Sequence, residues 1–137
     1  MISIIIPVFN HAKELKQCLA SIAAQTLLRS SSFGEQALLK SDKAIKRYSD
    51  KIEVIIVDDG SDPPLRAEEF SIFNFQFSIK FFRQERQGAP VARNLGFRHS
   101  KGEYLMFCDA DVVMKPMMLE RMIGALEKFQ CLEVSLP

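Results

Sequence analysis

The sequence predicts an α/β domain, a mostly parallel, Rossmann-like sheet flanked by helices, and three observations carry that expectation. Two β-branched runs, residues 2–6 and 52–57, are nearly continuous in apolar residues, as strands buried on both faces of a parallel sheet are. Segments with apolar residues at helical spacing alternate with the strand-like runs, which implies crossover connections. The least ordinary residues fall just past the carboxyl ends of the strands, where such sheets place their ligands.

Size and composition narrow the class. The 137 residues, 47% hydrophobic and 26% charged, suffice for one globular domain and are too few for two of ordinary size. Eighteen basic and 17 acidic residues leave a net charge of +1, without the basic excess of nucleic-acid-binding proteins, so no nucleic-acid partner is expected. The longest apolar run, residues 2–9, is too short to span a bilayer and has no basic leader. Cys18, Cys108 and Cys131 show no metal-type spacing, and an odd, sparse set fits reduced thiols in the cytosol.

The first strand, Ile2 to Pro7, should stop at the proline, which has no N–H for a sheet ladder. After the loop Val8–His11, a helix is expected from Ala12 to Gln25, with Leu15, Cys18, Leu19, Ile22 and Ala23 at helical spacing. A second helix is expected over Glu35–Tyr48. The strand Ile52–Val57 runs into the turn formers Asp58-Asp59-Gly60-Ser61-Asp62-Pro63-Pro64. A short helix around Arg66–Phe73 and a third strand, Ile79–Arg83, follow. Gly88-Ala89-Pro90 opens a helix through Arg98, with the proline in the first turn where its missing N–H is harmless. Glu103–Cys108 reads as the fourth strand and delivers Asp109-Ala110-Asp111. Lys115–Phe129 reads as a helix with Met118, Met122, Ala125 and Phe129 on one face, its methionines belonging to the core. Cys131–Leu136 reads as a last strand.

Asp58-Asp59 and Asp109-Ala110-Asp111 would bring four carboxylates to one edge of the sheet, where they repel unless a positive charge is present. A hard cation with oxygen ligands, magnesium or manganese, is the natural neutraliser, and it typically binds one or two carboxylates plus substrate phosphates. Asp62 reads instead as a cap or turn residue. Residues 80–102 carry six basic side chains, Lys80, Arg83, Arg86, Arg93, Arg98 and Lys101, against the single acid Glu85. With the helix N-terminus at Gly88 they could hold a diphosphate. Lys80, Arg98 and Lys101 read as solvated surface charges, whereas Arg93 faces either the site or an acidic partner within the protein. His11 and His99 read as turn or surface residues. The glycine-rich loops of P-loop and dinucleotide-binding proteins and the Gly-x-Ser-x-Gly elbow of hydrolases are missing.

Five segments in order resemble family 2 glycosyltransferases of the A-type nucleotide-sugar-binding fold. They are Ile2–Asn10, Ser21–Thr26, Ile55–Asp62, Gln87–Gly96, and Ser100–Tyr104 leading to the Asp-x-Asp motif at Asp109–Asp111. Residues 27–51 exceed the family's usual short link and have no assigned role. The resemblance implies that Pro7, Val8 and Phe9 line a base pocket, with Asp59 hydrogen-bonding a base, uracil favoured, and Asp58 supporting the turn. It implies Arg93 in the base or diphosphate region and Asp109 at the ribose or the metal's waters. Asp111 would coordinate the metal, Mn2+ or Mg2+, and Asn10 and Ala110 complete the donor-binding set.

The activity implied is metal-dependent transfer of a sugar, with inversion, from a nucleoside diphosphate sugar, a UDP-sugar favoured, to a hydroxyl of a carbohydrate or lipid-linked acceptor in polysaccharide, lipopolysaccharide or glycoprotein assembly. In the family the general base and acceptor pocket follow the Asp-x-Asp region. Residues 1–137 are therefore expected to be a truncated donor-binding part, with the base beyond residue 137 and Glu133 not taken for it. Two other readings fit the same residues: a donor-binding module without turnover, and a nucleotidyltransferase-like phosphate-binding protein. The exposed sheet edge left by missing strands is expected to favour self-association. The expected location is the cytoplasm, with the inner face of the membrane left open.

Overall fold

The computed structural model describes residues 1–25, 52–71 and 77–129. The expected helix at 35–48 and the expected final strand at 131–136 lie outside these residues. Four strands, β1 (Ile2–Val8), β2 (Ile52–Asp59), β3 (Ser78–Gln84) and β4 (Tyr104–Phe107), form one sheet in the order β3-β2-β1-β4. Every pairing is parallel. The helices are α1 (Ala12–Ala23), α2 (Glu68–Ser71), α3 (Ala89–His99) and α4 (Met118–Phe129). Among the described residues no helix is long and apolar enough to cross a membrane.

The period-2 alternation of a strand assigns side chains to two cores. Ile2, Ile4, Ile6 and Val8 of β1 and Ile52, Val54 and Ile56 of β2 pack with Leu15, Cys18, Leu19 and Ile22 of α1, Phe70 of α2, and Leu119 and Ile123 of α4. On the opposite face Ile5, Ile55 and Val57 pack with Ala92 of α3, flanked by Phe82 and Leu95. Covering both faces is what makes β1 and β2 read as unbroken apolar runs. The edge strand β4 is less covered, with Leu105 40% and Phe107 46% exposed.

Three details depart from expectation. Pro7 does not end β1, which pairs with β2 through Val8↔Asp58. In a parallel strand alternate residues turn both backbone groups to the same neighbour. The Ile5 carbonyl accepts from Cys108 N at 3.0 Å, so Ile5 and Pro7 both face β4. The proline therefore removes a donor only on that side, where the β1–β4 pairing stops at Ile5↔Phe107. The methionine face of α4 is also displaced: Leu119 and Ile123 are buried, Met118 is partly buried, Ala125 is exposed and Met122 is 43% exposed. An i, i+4 pair docks this helix on the sheet.

Lys80, expected in solvent, reaches Glu53 Oε2 at 2.7 Å and donates to the His99 carbonyl at 3.2 Å. Glu53 is a buried carboxylate hidden inside the apolar β2 run. It accepts from Ser3 Oγ and from Lys101 N, each at 2.5 Å, and Ser3 Oγ accepts from Gly102 N at 2.7 Å. This network ties β1, β2, β3 and the entry to β4 at the end of the sheet opposite the site. His99 is exposed, as expected, and stacks on Phe82 with ring centroids 4.1 Å apart.

Helix α3 lies close against the sheet because residue 96 has no side chain. A Cβ there would run into Ile5 Cγ2 and touch Val57 Cγ2 at 3.4 Å. Ile5 is β-branched, fully buried and central, so it has little freedom to move. Gly96→Ala is expected to destabilise the domain by about 1–3 kcal/mol, as overpacking does. A denaturant melt showing no loss of stability would contradict this packing.

Candidate donor site

An open cleft of about 360 Å³ lies at the carboxyl ends of β1, β2 and β4. Pro7, Val8, Phe9 and His11 form its β1 side, Asp59 its β2 side, and Asp109, Ala110 and Asp111 its β4 side, while Ala89 and Arg93 enter from α3. Eight of the residues singled out in the sequence thus line one cleft: Pro7, Val8, Phe9, Asp59, Arg93, Asp109, Ala110 and Asp111. Two do not line the cleft, Asn10 and Asp58. His11 and Ala89 do, although the sequence reading left them out. The signal for His11 was its place in the loop leaving β1, where the ligand edge of such a sheet lies.

Asn10 and Asp58 hold the loops behind the cleft. Asn10 takes a positive φ of 56°, which asparagine tolerates better than most residues. Its N–H donates to Ser61 Oγ at 2.9 Å and its Oδ1 accepts from Asp62 N at 2.9 Å, which joins the β1 loop to the β2 loop. Asp62 contributes this backbone contact and is not among the residues lining the cleft. Asp58, fully buried, accepts from Ser61 N at 3.0 Å and Leu65 N at 3.4 Å and forms an ion pair with Arg83. Arg83 also donates to the Ser61 carbonyl at 3.1 Å.

The four carboxylates do not meet as an unpaired acidic cluster. Asp59 accepts from Gln84 Nε2 at 2.7 Å and from the backbone N–H groups of Gln87 and Gly88, both at 2.8 Å. The donors just before α3, expected to be open to a diphosphate, are thus already engaged. Burial alone would raise the Asp59 pKa. The hydrogen bonds from Gln87, Gln84 and Gly88 and the charge of Arg86 outweigh it and hold the carboxyl below its ordinary value. Arg86 itself lies over the Phe9 ring, 3.9 Å from the centroid, a cation–π contact at the rim. Gly60, with φ of 78°, lets the β2 turn approach this arginine, since a Cβ there would stand 2.9 Å from Arg86 N.

Arg93 satisfies both roles open to it: it lines the cleft, and it reaches Asp109 Oδ1 at 2.7 Å. Only one Asp109 oxygen is engaged in that contact. Asp111 is exposed, and its carboxylate makes no hydrogen bond or ion pair among the described residues. Hard oxygen donors on a cleft wall fit a magnesium-type ion. Among the described residues no three His, Cys, Asp or Glu side chains converge on one point, so two carboxylates are what this wall offers, and such ions complete their shell with water and phosphate.

The model of the family described as Glycosyl transferase family 2 matches residues 3–132. The chain belongs to glycosyltransferase family 2. Among similar curated members, an uncharacterized glycosyltransferase of Haemophilus influenzae is 33% identical over 129 residues, 93% of this chain and 35% of that protein. Glycosyltransferase AglE of Haloferax volcanii is 31% identical over 127 residues, 91% of this chain and 35% of that protein. The chain thus spans about a third of the length of these relatives. The fold is that of the A-type glycosyltransferases. TarS 1-349 of S. aureus, solved in complex with UDP, superposes with a TM-score of 0.68 at 21% identity, covering 94% of this chain and 32% of that one. The mannosyltransferase PcManGT of Pyrobaculum calidifontis, solved with GDP-Man and Mn2+, superposes with a TM-score of 0.60 at 25% identity, over 80% of this chain and 27% of that one.

The depressed pKa of Asp59 has a signed consequence for this family 2 domain. Between its folded value and the unfolded value of about 4, the unfolded chain binds the extra proton. The stabilisation is complete above the unfolded value and is lost as pH falls through the folded one. Asp59→Asn should therefore lower stability most at neutral pH, with the gap to the unaltered protein narrowing below about pH 4. Unfolding free energies measured from pH 7 to pH 3 check this, and a gap that stays constant would contradict it.

Proposed function

We propose that this domain binds a nucleoside diphosphate sugar, with a UDP-sugar favoured, and serves as the donor half of a metal-dependent, inverting sugar transfer to an acceptor hydroxyl. The observation that carries the reading is the Asp111 carboxylate, exposed and unpartnered among the described residues, in the same cleft as Phe9 and Arg93. Similar proteins solved with UDP, or with GDP-Man and Mn2+, support a nucleotide-sugar ligand. The expected Mn2+ or Mg2+ would be held by Asp111, with Asp109 or its waters completing the protein's share.

In this reading Pro7, Val8 and Phe9 provide an apolar wall for the base, stiffened at its rim by Arg86. Asp59, fixed by three donors, retains acceptor capacity for a base N–H. Arg93 exchanges its bond to Asp109 for the diphosphate, whose oxygens suit a guanidinium fork. Ala110, nearly fully buried between the two acids, leaves the diphosphate room. A bound divalent ion would supply Lewis-acid neutralisation of the charge that develops on the departing diphosphate. No cleft residue is assigned as the base that takes the acceptor's proton. That step belongs to the whole protein, as do the acceptor, its place in polysaccharide, lipopolysaccharide or glycoprotein assembly, and the site in the cell.

Calorimetry with UDP and Mn2+ tests the reading. The unaltered chain should bind UDP more tightly with Mn2+ than with a chelator, and Asp111→Ala should remove at least about tenfold of the Mn2+-dependent gain, the usual scale for a lost metal contact. UDP binding that ignores both Mn2+ and the substitution would contradict the assignment.

A further inference from the structure

The acidic motif is followed by a stretch, residues 112–117, that belongs to neither β4 nor α4, yet it has a fixed path. Its near end is a turn in which Val112 N donates to the Asp109 carbonyl at 3.1 Å. The rest is held from outside by two polar side chains at the end of α1. Ser21 Oγ accepts from Met114 N at 3.0 Å while donating to the Cys18 carbonyl at 2.7 Å. Gln25 Nε2 donates to the Lys115 carbonyl at 2.9 Å and to the Ser21 carbonyl at 3.0 Å, and its Oε1 accepts from Leu119 N at 3.1 Å.

Gln25 is wholly buried and Ser21 nearly so. A buried primary amide is unfavourable unless its polar atoms are satisfied, and here both are. The amide also serves a helix end, because the Ser21 carbonyl is one that the last turn of α1 leaves unpaired. Each bond to residues 114–119 crosses at least 90 positions of sequence. They are therefore tertiary ties, and no local preference of the motif's own segment would produce them.

We propose that Gln25 and Ser21 are positioning residues for the Asp109-Ala110-Asp111 motif. They clamp the chain that leaves it and so hold the Asp111 carboxylate where a divalent ion and a diphosphate can share it. The inference rests on the donor-site reading above and extends it to residues that do not line the cleft. It separates two demands on the ligand. The base wall formed by Pro7, Val8 and Phe9 is carried by β1 and does not depend on the clamp, whereas the diphosphate end does.

The test compares two ligands on the full chain: UDP with Mn2+, and uridine, which lacks phosphates. Gln25→Leu removes the donor to Lys115 and the acceptor for Leu119 N, and Ser21→Ala removes the acceptor for Met114 N. Each variant is expected to lose about tenfold in Mn2+-dependent UDP affinity, the scale seen when groups that orient metal ligands are removed. Uridine binding, followed by ligand-observed NMR, should be unchanged. If Gln25→Leu does not fold, Ser21→Ala decides. Unchanged UDP affinity, or equal losses for uridine and UDP, overturns the proposal. If the unaltered chain fails to bind UDP, the donor-site reading falls as well; if it binds UDP and the variants match it, only the clamp falls.

Discussion

Pro7 sets where the sheet opens. Its missing N–H faces β4, so the β1–β4 ladder cannot continue past Ile5↔Phe107, while the β1–β2 ladder runs on to Val8↔Asp58. One absent donor thereby gives neighbouring strands different ends. The chain after Cys108, whose N–H makes the last bond to β1, is released from the sheet with Asp109, Ala110 and Asp111 in sequence, and the two residues after Pro7 form the facing wall. The cleft is the gap between a ladder that stops and one that continues.

Charge is distributed in keeping with that geometry. The acidic pairs look alike in the sequence, each a carboxylate cluster after an apolar strand, but they are used differently. Asp58 and Asp59 are buried, with Arg83, Gln84 and four backbone N–H groups bound to them, so they fasten β2 to its own turn, to β3 and to the start of α3. Asp109 and Asp111 stand in solvent on a chain that has left the sheet, with Arg93 the side-chain partner of Asp109 among the described residues. Asp58, out of the cleft, is architecture, whereas Asp59 is held rigid by its donors and still lines the cleft. Exposed acids with spare oxygens are available to a ligand.

Much of this was legible because it rests on local rules. The β-branched runs at 2–6 and 52–57 named the central strands, the spacing of Leu15, Leu19 and Ile22 named the buried face of α1, and the strand ends located the cleft. What escaped depends on distant partners. Glu53 was invisible as a network centre because Ser3, Lys80 and Lys101 are far away in sequence. Pro7 was misread as a strand end because the side its N–H would face is decided by a neighbour 100 residues on. The core face of α4 was misjudged because exposed methionines and buried leucine and isoleucine share one apolar periodicity. Gln25 lay within the family-like segment Ser21–Thr26, but no role could be read for it, since a glutamine at a helix end is ordinary until its bonds to residues 115 and 119 are seen.

The chain belongs to family 2 and has the A-type fold, and the chemistry proposed here turns on the Asp111 carboxylate as the metal-facing group of the cleft. Diffraction recorded at the manganese absorption edge from crystals grown with UDP and Mn2+ tests that most directly. The expected result is an anomalous peak in coordination contact with Asp111 and with the diphosphate of a UDP lying against Phe9. A peak that does not touch Asp111, or UDP bound away from this cleft, would contradict it.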